Sequence, residues 1–332
     1  MEKETLKQYG IDVEKYSVVG TLDEGAMAMD AALLSTANAG VPVELLTYFD
    51  NRAIDVLTAK RTATNIFNEV RKGDWTTPVA KFRMLESTGY TQPYSDYADN
   101  GKAGVNYAFP ARENYLFETV IKYGDLETDM AARAKASYIA DNQRAAANTI
   151  AIDTNKFYFN GVAGLKNYGI LNQPNLPSAI VAATGAGGYA TWSTKTGNEI
   201  YNDIVALYSD MASRAQGNID KTSKFKLVVG PSSDAELQRL NAFGTETVAS
   251  LIKRNFPNLE IVVAPEYDDS TKKIQLIAVE VDGLPTGECA FSEKLMAGRV
   301  VPYLSHFAQK FKAGVYGTVI YRPVFVSTMT GI

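Results

Sequence analysis

The stretch that most constrains this chain is a run without helix breakers that ends abruptly in glycine. Residues 126–159 hold Ala131, Ala132, Ala134, Ala136, Ala140, Ala145, Ala146, Ala147 and Ala151, and neither Gly nor Pro until Gly161. Alanine is the strongest helix former, and Asp125 is a suitable cap with Glu127 and Asp129 in the first turns. The run therefore predicts one helix, roughly 50 Å long at 1.5 Å per residue, well beyond the usual length. Its small side chains suit close packing against strands, and Ala140 and Ala147 are expected at the closest contacts. The helix then runs into Asn155–Pro177, NKFYFNGVAGLKNYGILNQPNLP, a glycine-punctuated turn ending in Gly-Ile-Leu-Asn-x-Pro. The rest of the fold has to be arranged around such a rod and its stop.

Around the rod the pattern alternates between strand and helix signals without regular βαβ order. Residues 1–50 carry short helical patches broken by Gly10, Gly20, Gly25 and Gly40, too little for a core, and read as an arm laid across something else. A short helix follows at Asp50–Asn68. From Thr77 the period becomes two: Val79, Lys81, Arg83 and Leu85 alternate with Ala80, Phe82 and Met84. A turn-rich tip, Gly89–Gly104, contains Pro93 and Asn100-Gly101, and the chain returns extended through Val105–Phe109 and on through Tyr115–Tyr123. The whole reads as a long hairpin with a polar tip, an exposed edge that needs a partner to cover it.

After the rod, Ile200, Ile204, Leu207, Tyr208, Met211 and Ala215 share one face of a second helix. A strand is expected at Phe225–Val229. Ser233-Asp-Ala-Glu236 reads as a capping box for a helix through Leu240, and a further helix spans Glu246–Asn255. Strands at Leu259–Ala264 and Ile274–Val281 are joined by a polar turn, Glu266–Lys273. The tail, Phe311–Ser327, is strand-like again. The fold class is α+β.

Of 332 residues, 46% are hydrophobic and 21% charged, with a net charge of -4 and no basic stripe. Sequence-specific reading of DNA is not expected from such a surface. Nineteen Tyr against two Trp is a tyrosine-heavy balance. Tyr90, Tyr94, Tyr97, Tyr107, Tyr115 and Tyr123 fall in extended or turn-rich stretches, which fits surfaces buried against a partner and equally the ordinary taste of strands for Tyr. One Cys and one His, Cys289 and His306, exclude an intrachain disulfide and a Cys/His zinc site. No apolar run crosses a bilayer or forms a signal peptide, so no membrane partner is expected.

No constellation points to catalysis. The Gly161–Gly169 and Gly185–Gly188 stretches lack the context of a phosphate or dinucleotide loop. Gly230-Pro-Ser-Ser lacks the Gly-x-Ser-x-Gly pattern of a nucleophile turn. Glu266, Asp268 and Asp269 lack the spacing of a calcium loop and read as a solvated turn. His306 has no partner legible in sequence, and Cys289 reads as a small buried residue. No cofactor, metal or catalytic residue is expected.

The order of these pieces resembles the major capsid fold of tailed phages, the Hong Kong-97 type shared with encapsulins. The pieces that carry the resemblance are Tyr123-Gly-Asp-Leu-Glu127, Phe157–Pro177 and Arg322-Pro323 with Gly331-Ile332. The resemblance implies an N-terminal arm at 1–74, an extended loop at 75–124 and a peripheral domain with a spine helix at 125–189. It also implies an axial domain at 190–300 and C-terminal strands at 301–332 returning to the peripheral domain. It implies self-assembly into pentamers and hexamers of an icosahedral head shell, with Tyr90, Tyr94, Tyr97, Lys102 and Tyr107 as contact candidates. Portal and decoration proteins, and non-specific contact with packaged DNA, are the implied partners. Many relatives begin with a long helical scaffolding segment, for which this chain has no room. Removal of that segment or a separate scaffolding protein would explain this, and Met1 favours the second. An encapsulin-like compartment shell and an α+β enzyme stay open as alternatives.

Overall fold

The computed structural model describes residues 61–332 except 97–100, 134–136, 242 and 270. The expected arm up to residue 60, most of the helix at Asp50–Asn68, Tyr97, Asn100, Ala134 and Ala136 lie outside the described residues. In chain order the described elements begin with α1 (Ala63–Ile66), β1 (Glu69–Arg71), β2 (Val79–Lys81) and β3 (Met84–Tyr90). There follow β4 (Lys102–Ala108), β5 (Ala111–Glu113), β6 (Tyr115–Gly124), α2 (Asp125–Arg133) and α3 (Tyr138–Asn160). Next come β7 (Ile180–Val181), α4 (Gly197–Ala215), β8 (Phe225–Val229), α5 (Pro231–Glu236), α6 (Val248–Asn255) and β9 (Leu259–Val263). The chain closes with β10 (Lys273–Ala278), β11 (Glu280–Val281), β12 (Leu284–Pro285), β13 (Gly287–Pro302), β14 (His306–Ile320) and β15 (Val326–Thr330).

Two sheets organise these elements. The first has the order β1-β13-β14-β6, and the second the order β7-β15-β10-β8-β9. Helix α3 lies on the first sheet, where Ala146 and Ile150 meet Phe311 and Ala313, with Phe117 and Ile121 beside them. Strand β6 shows why that works. Phe117, Thr119 and Ile121 are half-buried while Leu116, Glu118, Val120 and Lys122 are exposed, the period of a sheet with one covered face. In the second sheet α4 and α6 cover one face, burying Ile200, Ile204, Leu207 and Met211 against Leu227, Leu276 and Met329. Val228, Ile277 and Val326 point the other way, into a second cluster with Tyr158, Phe159 and Ile170 from the end of α3.

The Gly-Ile-Leu-Asn turn is the clamp between helix and sheets. Ile170 N and Leu171 N donate to Tyr158 O and Phe159 O, and Asn172 holds Gly169 N and Asn160 O through its amide. A Cβ at Gly169 would lie 2.2 Å from the Phe159 carbonyl, so only glycine lets the two backbones meet. On the other side Thr318 N donates to Tyr168 O, and Asn167 donates to Val315 O. Gly317 adopts φ +77° there, and a Cβ on it would meet Tyr168 O at 2.3 Å. A Cβ at Gly161 would likewise meet Asn167 O at 2.3 Å, while Gly164 has open space and is set by its positive φ of +85°.

Several expectations are corrected. The rod is two helices, because Ser137 adopts φ -84°, ψ 52°, outside the helical region. Helix α2 has no buried side chain, so no packing holds it in line with α3. At 23 residues α3 is about 35 Å long. Ala140 is exposed and Ala147 half-buried, while Ala146 makes the close contact. Strand β6 belongs to the first sheet, pairing with β14 from Tyr115↔Val315 to Gly124↔His306, and is not a continuation of the hairpin. Tyr123 is accordingly buried and Tyr115 half-buried.

The tail divides between the sheets. Strand β14 joins the helix sheet, but β15 pairs with β10 in the second sheet and reaches α3 only through Val326, beside Tyr158 and Phe159. Strand β13 starts in the first sheet at Gly287, inside the stretch expected to be axial. Helix α5 begins at Pro231 with Gly230 as cap, since Pro is pre-set for the first helical position. The capping box is instead at Thr196–Glu199, opening α4. Strands β9 and β10 do not form a hairpin: β9 runs parallel to β8, and β10 lies on the other side of β8.

Candidate assembly surfaces

The hairpin is rooted in the core and bare beyond its root. At the root Phe82 is buried against Ala290, Tyr316 and Val319, its ring edge-on to Tyr321 at 6.0 Å. Phe82 N donates to Pro110 O, and β2 pairs with β5 from Val79↔Glu113 to Lys81↔Ala111. Tyr316 Oη and Asn114 Nδ2 both donate to Thr77 O. Lys312 Nζ lies 3.5 Å from the Trp75 ring centroid, tying the approach to the root onto β14. Past the root, β3 and β4 pair from Met84↔Ala108 to Tyr90↔Lys102. The pairing therefore runs past Gly89 and Gly104, where the sequence placed the start and end of the tip.

Every residue of β3 and β4 is exposed. Among them are Met84, Leu85, Tyr90, Val105 and Tyr107, with Phe109 just beyond. A two-stranded ribbon with apolar side chains in water on both faces is marginal by itself. Its internal ties are modest: Tyr107 stacks on Phe109 at 6.4 Å, and the Arg83 guanidinium sits 5.1 Å from the Tyr107 ring. Of the contact candidates, Tyr90, Lys102 and Tyr107 lie on the ribbon, and Tyr94 at its tip is 91% exposed. They share one projecting element without forming a chemical site.

The remaining polar groups explain themselves as structure. Among the described residues no group of three or more His, Cys, Asp or Glu could hold a metal ion. Cys289 is buried beside Ala63 O and Thr318 Oγ1, and burial pushes its thiol up to about 12. The His306 ring stacks on Tyr303 at 4.6 Å. The expected solvated turn is three separate ties. The Glu266 carboxylate accepts from Asn155 Nδ2, Asp268 holds Ser232, and Asp269 holds Thr271, while Tyr267 is fully buried.

Asn155 works on its other side too, its Oδ1 accepting from Thr62 N and Ala63 N at 3.1 Å each. It thus joins α1, α3 and the second sheet's Pro265–Tyr267 turn. Burial raises the Glu266 carboxyl above its ordinary value. Sequence reading missed a buried ion pair, Lys195–Asp203, whose carboxylate also accepts from Trp192 Nε1 at 2.9 Å. Asp203 lies on the buried face of α4 with Ile200, Ile204 and Leu207, the one acidic residue of that stripe. No helix among the described residues is long and apolar enough to cross a membrane.

Comparison with known families matches residues 32–331 to the family described as the Pa193 gp26 major capsid protein. No curated protein is significantly similar to the chain. Among solved structures, the capsid of Myoviridae phage XM1 superposes with a TM-score of 0.71 at 15% identity, over 89% of this chain and 100% of that one. The capsid of an empty GTA particle gives 0.61 at 12% identity, over 89% and 99%. The mature capsid of bacteriophage PhiM1 gives 0.57 at 10% identity, over 86% and 91%. At such identities the likeness is one of fold, and the fold is the α+β Hong Kong-97-like capsid fold.

Proposed function

This chain belongs to the Pa193 gp26 family of major capsid proteins, and from that premise we propose how its surfaces build a shell. It is a non-catalytic structural subunit of a tailed-phage head, located in the virion capsid. The first sheet with α3 serves as the peripheral domain, α3 being the spine helix. The second sheet with α4 and α6 serves as the axial domain that lines capsomer centres. The hairpin is the extended loop, and it lies over a neighbouring subunit through Tyr90, Tyr94, Tyr97, Lys102 and Tyr107.

One observation carries this reading: a ribbon exposed along its whole length, with Met84, Leu85, Tyr90, Val105 and Tyr107 uncovered, and firmly rooted at its base. Contacts of this overlapping kind enlarge buried area without enlarging the subunit core, and obligate interfaces bury on the order of 2,000–5,000 Å². The further partners are a separate scaffolding protein, a portal and decoration proteins. Packaged DNA meets scattered Lys and Arg weakly and without sequence preference, as a net charge of -4 suggests. Produced alone or with a scaffolding partner, the chain should give pentamers, hexamers, tubes or shells in light scattering and electron micrographs. A strictly monomeric species across salt and scaffold conditions would overturn the reading.

A further inference from the structure

Among the described residues two cations are buried, Lys195 and Arg112, 2% and 8% exposed. Lys195 has Asp203 for a partner. Arg112 has none. Its guanidinium makes no hydrogen bond or ion pair among the described residues, and its Nε is sealed from solvent without an acceptor. Its one contact is the Tyr168 ring, whose centroid lies 4.8 Å from the guanidinium carbon. Arginine is rarely buried unpaired, because a charge without a counter-charge is costly away from water. Burial lowers the Arg112 pKa from its ordinary value, yet a guanidinium keeps its proton in proteins.

The local geometry explains why no protein group serves it. Arg112 pairs with Ala80 in the β2–β5 ladder, so both side chains leave the same face. That face carries Ala80 onto Phe82, Ala290, Tyr316 and Val319, none of which offers a carboxylate. The adjacent Glu113 leaves the opposite face and accepts from Lys166 N at 3.2 Å. The terminal nitrogens of Arg112, unlike Nε, are not sealed from solvent. They form one edge of a planar fork that matches a two-oxygen acceptor. The groove beside Ala80 is lined by Arg71, Lys72, Lys81 and Arg83. Glu293 and Glu288 pair with the first two, while Lys81 and Arg83 have no carboxylate among the described residues. The field at the hairpin root therefore favours an anion.

We propose that Arg112 anchors a binding site for a small phosphate-class oxyanion at the hairpin root, held by its two terminal nitrogens beside the Tyr168 ring. A small free ion is the ligand, and not a phosphate of duplex DNA, because so little of the guanidinium is uncovered. Arg112 belongs to the root and Tyr168 to the clamp, where Glu113 N and O bond Lys166 O and Asn167 Nδ2. A bound oxyanion neutralises the charge at this joint and so firms the seat of the hairpin. The inference stands apart from the capsid reading.

Melting of the unmodified chain and of Arg112→Met, in sodium phosphate and in sodium chloride of equal ionic strength, tests this. Phosphate stabilises proteins in general, so the difference between the two proteins is what is read. Phosphate should raise the melting point of the unmodified chain by about 2–4 °C beyond any rise in Arg112→Met. In chloride Arg112→Met should melt no lower than the unmodified chain, since an unpaired buried charge has gone. Calorimetric titration of the unmodified chain with inorganic phosphate should show one saturable site. Arg112→Lys, which keeps the charge without the fork, should weaken it about tenfold or more. Equal phosphate responses of unmodified chain and Arg112→Met, or no saturable site, would overturn the proposal. So would Arg112→Met melting lower by the same amount in both salts, the result of a purely structural stack on Tyr168. Binding of a short DNA duplex without binding of inorganic phosphate would overturn it in favour of nucleic acid. Should Arg112→Met fail to fold, the titration and Arg112→Lys decide alone.

Discussion

Ala146 packs with Phe311 and Ala313 between helix and sheet, and Ala140, six residues earlier, is exposed. Replacing Ala146 with Phe should overpack that contact and cost about 1–3 kcal/mol, measured by denaturant unfolding. Ala140→Phe should change stability by no more than about 0.5 kcal/mol, as exposed substitutions do. Equal costs at the two positions would contradict the placement of the helix on the sheet. Asn155 carries a different load, since Asn155→Ala leaves the buried N–H groups of Thr62 and Ala63 without acceptors. That should cost about 1–3 kcal/mol for each unpaired group. At Glu266, burial raises the carboxyl, so the folded chain holds a proton that the unfolded chain has released. This residue's contribution is therefore fullest below the ordinary carboxylate range and is lost as pH rises through the raised value. Glu266→Gln should remove that part of the pH dependence, seen in melting midpoints across about pH 4–7. Parallel profiles for the two proteins would contradict it.

Among the elements, the ribbon separates folding from assembly most cleanly. Strands β3 and β4 pair up to Tyr90↔Lys102 and bury nothing, so joining Tyr90 to Lys102 by Asn-Gly should leave helix content and melting unchanged. Closed shells should be lost with it. Normal shells would mean the tip is a solvated loop, and loss of folding would mean the ribbon belongs to the core. The ribbon was legible in sequence because its alternation and its turn residues are local signals. So was α4, whose apolar face repeats at helical spacing and is buried as expected. The elements misread from sequence are those decided by distant partners. Tyr115–Tyr123 has the same local pattern whether it pairs with a hairpin mate or with β14, and residues 306–315 settle the matter. The alanine run favours helix throughout, yet only α3 has a sheet beneath it. Strand β15 reads as one tail with β14 until the 3₁₀ turn at Pro323–Phe325 sends it to the other sheet.

For the molecule as a whole, core and function divide by place. The two sheets and the clamp at residues 155–177 hold the buried core, while exposed apolar groups line the ribbon and stand elsewhere too, as at Val181, Leu240 and Leu304. The fold class and the absence of a catalytic constellation could be read from composition, motif order and the scarcity of Cys and His. The proposed contact surfaces could be read only as far as tyrosine-rich extended segments, because a sequence does not show which of its tyrosines face a core. Tyr90 and Tyr107 are exposed, while Tyr123 is not. An image reconstruction of the assembled shell at side-chain resolution tests the central claim directly. The ribbon of each subunit, residues 84–108, should lie against a different subunit, with Tyr90 and Tyr107 in contact with it. A ribbon folded back on its own subunit, or left standing in solvent within a closed shell, would contradict the account.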